Sequence, residues 1–220
     1  MKLYKCFLFM LILICSLINI SGNNSPIGIG GSSNDSKRAL EEQIDNYIIL
    51  QYNQDVTYAG RAFLYYQYGN NIYDYNQYIS YINNGNETID RNTQFTVESN
   101  TKLEVHFNQT IRTLQRFLDG VKDKLMFNSL ILADFCHFDT SSVTNMNYMF
   151  NKLSLEYLNL SNFDTSSVRS MEAMFYDCNS LKYLIISNFN FTKTDSTSGI
   201  FSNVNALKYI DISNIKNPKV

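Results

Sequence analysis

Apolar residues in the second half of the chain return to one frame four times. Leu155, Leu158, Leu160 and Phe163 are followed by Leu181, Leu184, Ile186 and Phe189, and then by Leu207, Ile210, Ile212 and Ile215. Upstream, Leu130, Ala133, Phe135 and Phe138 fit the same gaps. That spacing predicts a short strand and a following bend with these side chains inward. Between the strands, Val143, Met146, Met149 and Phe150 fall three, three and one residues apart, as do Val168, Met171, Met174 and Phe175. This predicts one face of a short helix. Thr140, Ser141 and Ser142 precede it and can cap its free N–H groups. The block Phe138–Phe150 recurs nearly unchanged as Phe163–Phe175, 25 residues later. The third unit is one residue longer and has Thr194 and Thr197 in place of Val and Met, as a terminal unit covered on one side can tolerate.

The pattern changes upstream. Ile111, Leu114, Phe117, Leu118 and Val121 fall at helical spacing, read as a degenerate first repeat with an insertion. Residues 62–107 alternate as strands do. Tyr78–Ile82 runs into Asn83-Asn84-Gly85-Asn86, a hairpin signal, and Phe95–Val97 is expected to pair with Leu103–Phe107 about Ser99-Asn100. Residues 40–52 are ambiguous, helix-like at Ala39–Glu42 and strand-like at Tyr47–Tyr52.

At the N-terminus, Lys2 and Lys5 precede an apolar run from Cys6 to Ile18 and a polar boundary at Ser21–Asn24. This reads as a secretory signal peptide, with an uncleaved anchor as the alternative, since a full span needs about 20 residues. Gly, Ser and Asn dominate to about residue 38, which predicts a flexible linker. The expected organisation is a signal peptide at 1–22, a linker at 23–45, a Tyr-rich β region at 46–108 and repeats at 109–220.

Loss of the leader with Lys2 and Lys5 takes the formal charge from −2 to −4, which leaves no basic footprint for nucleic acid. Cys136 and Cys178 then remain. They hold unrelated places in the repeat and are expected to be two buried free thiols, although export allows a disulfide. Sequons fall at Asn23, Asn34, Asn86, Asn108, Asn159 and Asn190 in an Asn-rich chain.

The run Leu160–Leu181, Leu-Ser-Asn-Phe-Asp-Thr-Ser-Ser-Val-x-x-Met-x-x-Met-Phe-x-x-Cys-x-Ser-Leu, resembles the BspA-like leucine-rich repeat family of surface proteins. The similarity covers about residues 111–215. It implies export to the cell surface and adhesion or binding, and it implies no catalytic residues. Phe138, Phe163 and Phe189 stand where many such repeats carry a ladder asparagine. Asn162, Asn188 and Asn214 lie one position earlier, so an Asn ladder is either shifted or absent.

Stacked strands about 4.8 Å apart would align Leu132, Tyr157, Tyr183 and Tyr209 in one column, and Asp134, Asn159, Ile185 and Asp211 in the next. A third would hold Cys136, Ser161, Ser187 and Ser213. Tyr157, Tyr183, Tyr209, Asn159 and Asp211 are the candidate binding residues, because tyrosine offers contact area with a polar handle. The alternative is that the rings complete the core. Asp139 and Asp164 read as turn or helix-start residues rather than metal ligands. His106 and His137 come with no phosphate loop, metal spacing or nucleophile motif.

The fold class expected is α+β: a small β-sandwich-like or β-cap region followed by a short leucine-rich-repeat-type β/α solenoid with 25–26-residue repeats. The function expected is an exported, non-enzymatic surface or secreted binding protein for a protein or glycan ligand. No cofactor, metal or nucleic acid is expected, nor a transmembrane segment in the mature chain. Self-association through the C-terminal end would make it a structural surface component. A secreted hydrolase is the third possibility.

Overall fold

The computed structural model describes residues 46–58, 64–68, 70–83, 88–89, 94–120 and 129–217. The expected signal peptide and linker, the turn at 84–86 and the sequons at Asn23, Asn34 and Asn86 lie outside the described residues. Residues Asp45–Val220 make one compact unit. Its strands are β1 (Tyr47–Tyr52), β2 (Val56–Tyr58), β3 (Tyr65–Tyr68), β4 (Asn71–Asp74), β5 (Ile79–Asn83), β6 (Thr88–Ile89), β7 (Phe95–Val97), β8 (Lys102–Phe107), β9 (Leu130–His137), β10 (Tyr157–Asn159), β11 (Tyr183–Ile185) and β12 (Tyr209–Asp211).

Strict alternation places β1. Ile48, Leu50 and Tyr52 are buried on one face, while Tyr47, Ile49 and Gln51 stay half-exposed on the other. It pairs antiparallel with β8 on one side and β9 on the other, inside a sheet ordered β6-β5-β8-β1-β9. The strands flanking the expected hairpin, β5 and β6, do pair antiparallel. The expected β7–β8 pair does not form. β7 pairs with β2, because β8 already has β1 and β5 as its two neighbours. β3 and β4 form a separate two-stranded sheet, and β10-β11-β12 form a parallel one.

The α+β expectation is corrected. The chain is mostly β, and no helix, α or 3-10, lies anywhere from Phe138 to Asn217. Nor do the strands form one continuous solenoid sheet. They divide among four sheets, and β9, read from sequence as the first repeat strand, belongs to the antiparallel five-stranded sheet instead.

The expected helix fails for a local reason. Val143, Met146, Met149 and Phe150 are all fully buried, as are Val168, Met171, Met174 and Phe175. Their three-residue spacing comes from successive tight turns, such as Met149 N–H to Met146 O and Leu153 N–H to Phe150 O. Left-handed residues interrupt any helix: Tyr148 and Lys152 in one repeat, Ala173 and Asp177 in the next, Gly199 and Asn203 in the last. The N–H groups that a helix would return four residues back instead reach the next repeat. Met146, Tyr148, Phe150 and Lys152 donate to Ser170, Glu172, Met174 and Tyr176 at 2.8–2.9 Å. Met171, Ala173, Phe175 and Asp177 donate to Ser196, Ser198, Ile200 and Ser202 at 2.9–3.0 Å.

The same rungs extend upstream, where Leu114, Arg116, Leu118 and Gly120 donate to Asn145, Asn147, Met149 and Asn151. Gly120 is required there, because a Cβ would sit 2.5 Å from the Lys152 carbonyl oxygen. Thr140, Ser141 and Ser142 cap no helix. Thr140 is buried, and its hydroxyl donates to Asp164 O and accepts from Asp164 N–H, an arrangement that Thr165 repeats with Asn190.

Phenylalanine columns run through this part of the core. Phe150, Phe175 and Phe201 stack at 5.7 and 5.5 Å with nearly parallel rings. Phe163 meets Phe135 at 5.4 Å and Phe189 at 6.4 Å. Phe107, Phe117 and Phe138 close the junction with the β region at 5.3–6.1 Å. The buried residues thus form one core from Ile48 to Phe189. Cys178 is a buried free thiol; burial is the main cause that pushes it from 9.0 up to about 12, and Sγ donates to Phe150 O. The expectation of two free thiols fails at Cys136, which is disulfide-bonded.

Candidate binding surface

β10, β11 and β12 pair in parallel with Tyr157 opposite Tyr183 and Tyr183 opposite Tyr209. Inward Leu158 and Leu184 are buried, so the alternate residues face outward. The tyrosines differ in how far they emerge. Tyr157 is half-buried, while Tyr183 is 41% and Tyr209 54% exposed. Burial, with the Asp134 charge adding to it, pushes the Tyr157 hydroxyl from 10.0 up to about 12. The row is therefore anchored at one end and open at the other. Lys182 Nζ pairs with Glu156 Oε1 beside it. That flanking pair was legible in the sequence, since both residues directly precede a row tyrosine.

Leu132 does not join the row by hydrogen bonding. It lies on β9 opposite Gln51 of β1. Asn159 stands in register with Ile185, and Ile185 with Asp211. Asn159 Oδ1 accepts Ser161 N–H and Asp211 Oδ1 accepts Ser213 N–H, both at 3.0 Å, so each side chain also closes its own turn. Asp139 and Asp164 do the same for Ser141 and Ser166 at 2.9 Å. The Asn ladder is shifted by one position: Asn162 and Asn188 donate from Nδ2 to Cys136 O and Ser161 O at 3.4 and 2.8 Å. Of the sequons among the described residues, Asn108 is exposed, whereas Asn159 and Asn190 are half-buried.

Both histidines stack on Tyr47, which pattern reading missed. Tyr81, His106, Tyr47 and His137 stand in a row across β5, β8, β1 and β9, with ring centroids 4.1, 4.8 and 4.6 Å apart. Cross-strand register makes the row. His106 is 7% exposed, with Glu104 Oε2 at 3.5 Å from Nε2. No sequence signal marked it, because four strands distant in the chain had to be paired first.

Residues 121–218 match the family described as Mycoplasma protein of unknown function, DUF285. This corrects the likeness to BspA-like leucine-rich repeats, since the match carries no leucine-rich-repeat evidence and covers less than half of the chain. No curated protein and no solved structure matches. No helix among the described residues is long and apolar enough to cross a membrane.

Proposed function

We propose that the chain is an exported, non-enzymatic surface or secreted protein that binds a protein or glycan through the Tyr157–Tyr183–Tyr209 row. The observation that carries this reading is the in-register row itself, with exposure rising to 54% at Tyr209. An exposed line of aromatics on a rigid strand frame offers large contact area at low entropic cost, and aromatics carry interface energy out of proportion to their number. Tyr157 supports the row from partly inside, and Lys182, Glu156 and Asp211 supply polar contacts beside it. The secreted-hydrolase alternative gains no support from the geometry, because His106 and His137 are both held in the aromatic row.

The test is replacement of Tyr183 and Tyr209 by Ser, read against panels of immobilised glycans and cell-surface proteins. The expected outcome is lost binding with an unchanged unfolding midpoint. Retained binding would move the site elsewhere. A loss of several kcal/mol of stability would show that the rings complete the core.

A further inference from the structure

Two aromatic rows cross strand faces of this molecule, and they present their rings differently. In the Tyr81–His106–Tyr47–His137 row each ring covers its neighbour, with centroids 4.1–4.8 Å apart. Tyr157, Tyr183 and Tyr209 stand just as strictly in register. Yet no two of their rings stack among the described residues, and none of their hydroxyls has a hydrogen-bond partner there. Ring faces and hydroxyls are therefore both left to a ligand. Tyr183 has a strand on each side, β10 and β12, and is still 41% exposed. Its openness belongs to the outward face, not to the last repeat.

The borders of the row are polar. The Lys182–Glu156 pair and the exposed Lys208 lie on one side. Asn159 and Asp211 lie on the other, two residues along their strands. Each of these two spends one oxygen on its own turn, which leaves Asn159 Nδ2 and the second Asp211 oxygen without a partner among the described residues. Two cations thus face two carboxylates, and the Asp134 charge reaches Tyr157 as well.

We infer that the ligand of this row is a neutral oligosaccharide. The inference rests on the reading of the row as the binding site and names what that site takes. A sugar ring carries an apolar C–H face within a rim of hydroxyls. It calls for an open aromatic face with donors and acceptors alongside, which is the arrangement here. The row spans about 9.6 Å across two strand spacings, and about 7 Å along the strands to Asn159 and Asp211. A short oligosaccharide fills that patch, whereas a protein partner covers roughly 800 Å² and takes its energy from desolvated pockets sealed by surrounding contacts. An anionic glycan would meet no surplus of cations.

The probe is a set of short neutral oligosaccharides of glucose, N-acetylglucosamine, mannose and galactose, with a heparin tetrasaccharide as the anionic comparison, titrated into the full chain. The expected result is saturable binding of a neutral member between about 10 μM and 1 mM, with nuclear magnetic resonance shifts at the Tyr183 and Tyr209 ring protons. Raising sodium chloride from about 0.05 to about 0.5 M should change the affinity by no more than about twofold. Tyr183→Phe, which keeps the ring face and loses the hydroxyl, should weaken binding about three- to tenfold. Tyr183→Ser should weaken it at least about thirtyfold. If Tyr183→Ser fails to fold, Tyr183→Phe and the ring shifts of the unaltered chain decide. Binding of the heparin fragment alone, binding of no member, or ring shifts elsewhere in the molecule overturns the inference. A protein ligand lost in the Tyr183 and Tyr209 serine variants, with no sugar bound, also overturns it and leaves the row standing as the site. Ligand binding indifferent to those variants sinks both.

Discussion

The inner repeat around Phe175 and the last repeat around Phe201 hold the same residue in the same place and give it different surroundings. Phe175 has a parallel ring on both faces, Phe150 and Phe201, and is fully buried. Phe201 has one ring neighbour and is 38% exposed. Burial in this part of the molecule is thus a property of having neighbours on both sides, not of the sequence of a repeat. The largest effect that can test the contrast is truncation. Phe175→Ala should cost about 3–5 kcal/mol in a urea titration, against about 1–2 kcal/mol for Phe201→Ala. Equal costs would mean that the last repeat is covered in solution.

A polar pair gives the next contrast. Asp119 is fully buried, paired with Arg116 and accepting from Asn151 Nδ2 at 3.0 Å. At the far end, Asn203 Nδ2 donates to Asp177 Oδ1 at 2.8 Å in the open. Asp119→Ala leaves a guanidinium inside without its partner and should cost about 3 kcal/mol or more. Asn203→Ala should lower the unfolding free energy by only about 1 kcal/mol, mostly because Ala is strained at φ 61 where Asn is tolerated.

The left-handed column supplies the smallest effect, and its sign reverses along the stack. Ala173 sits at φ 51 and Gly199 at φ 64 in equivalent places. Ala173→Gly should stabilise by about 0.5–1 kcal/mol, because the strain of a left-handed Cβ exceeds the entropy glycine loses. Gly199→Ala should destabilise by about 1 kcal/mol, with its Cβ 3.3 Å from Ser202 Oγ. Thermal unfolding of both variants checks the pair.

How much of this was legible before the fold depends on the range of the interaction. The inward positions of the inner repeats were readable, because apolar spacing reports which side chains share a core whatever backbone joins them, but in the last repeat Ile212, expected inward, is 53% exposed. The backbone was not. Turns linked by left-handed residues and a helix both bring residues three apart to one side, and nothing about Tyr148, Lys152 or Ala173 announces positive φ as a glycine would. The in-register tyrosine row followed from the repeat length. The Tyr–His row did not, since its register is set by long-range antiparallel pairing. β9 shows the same limit: its residues fit the repeat frame, yet an unpaired β1 edge claimed them.

The rungs also determine how the molecule would answer a mechanical load. Each repeat is tied to its immediate neighbours by its backbone rungs, the β10–β11–β12 pairing and the stacked phenylalanines. A pull applied at the C-terminal end therefore loads these ties in series and peels one repeat at a time, at a force set by a single set of rungs. β1, clasped between β8 and β9, is loaded in parallel across both ladders and must shear them together. The repeats would extend in short steps of about 25 residues while the sheet that carries them stayed whole.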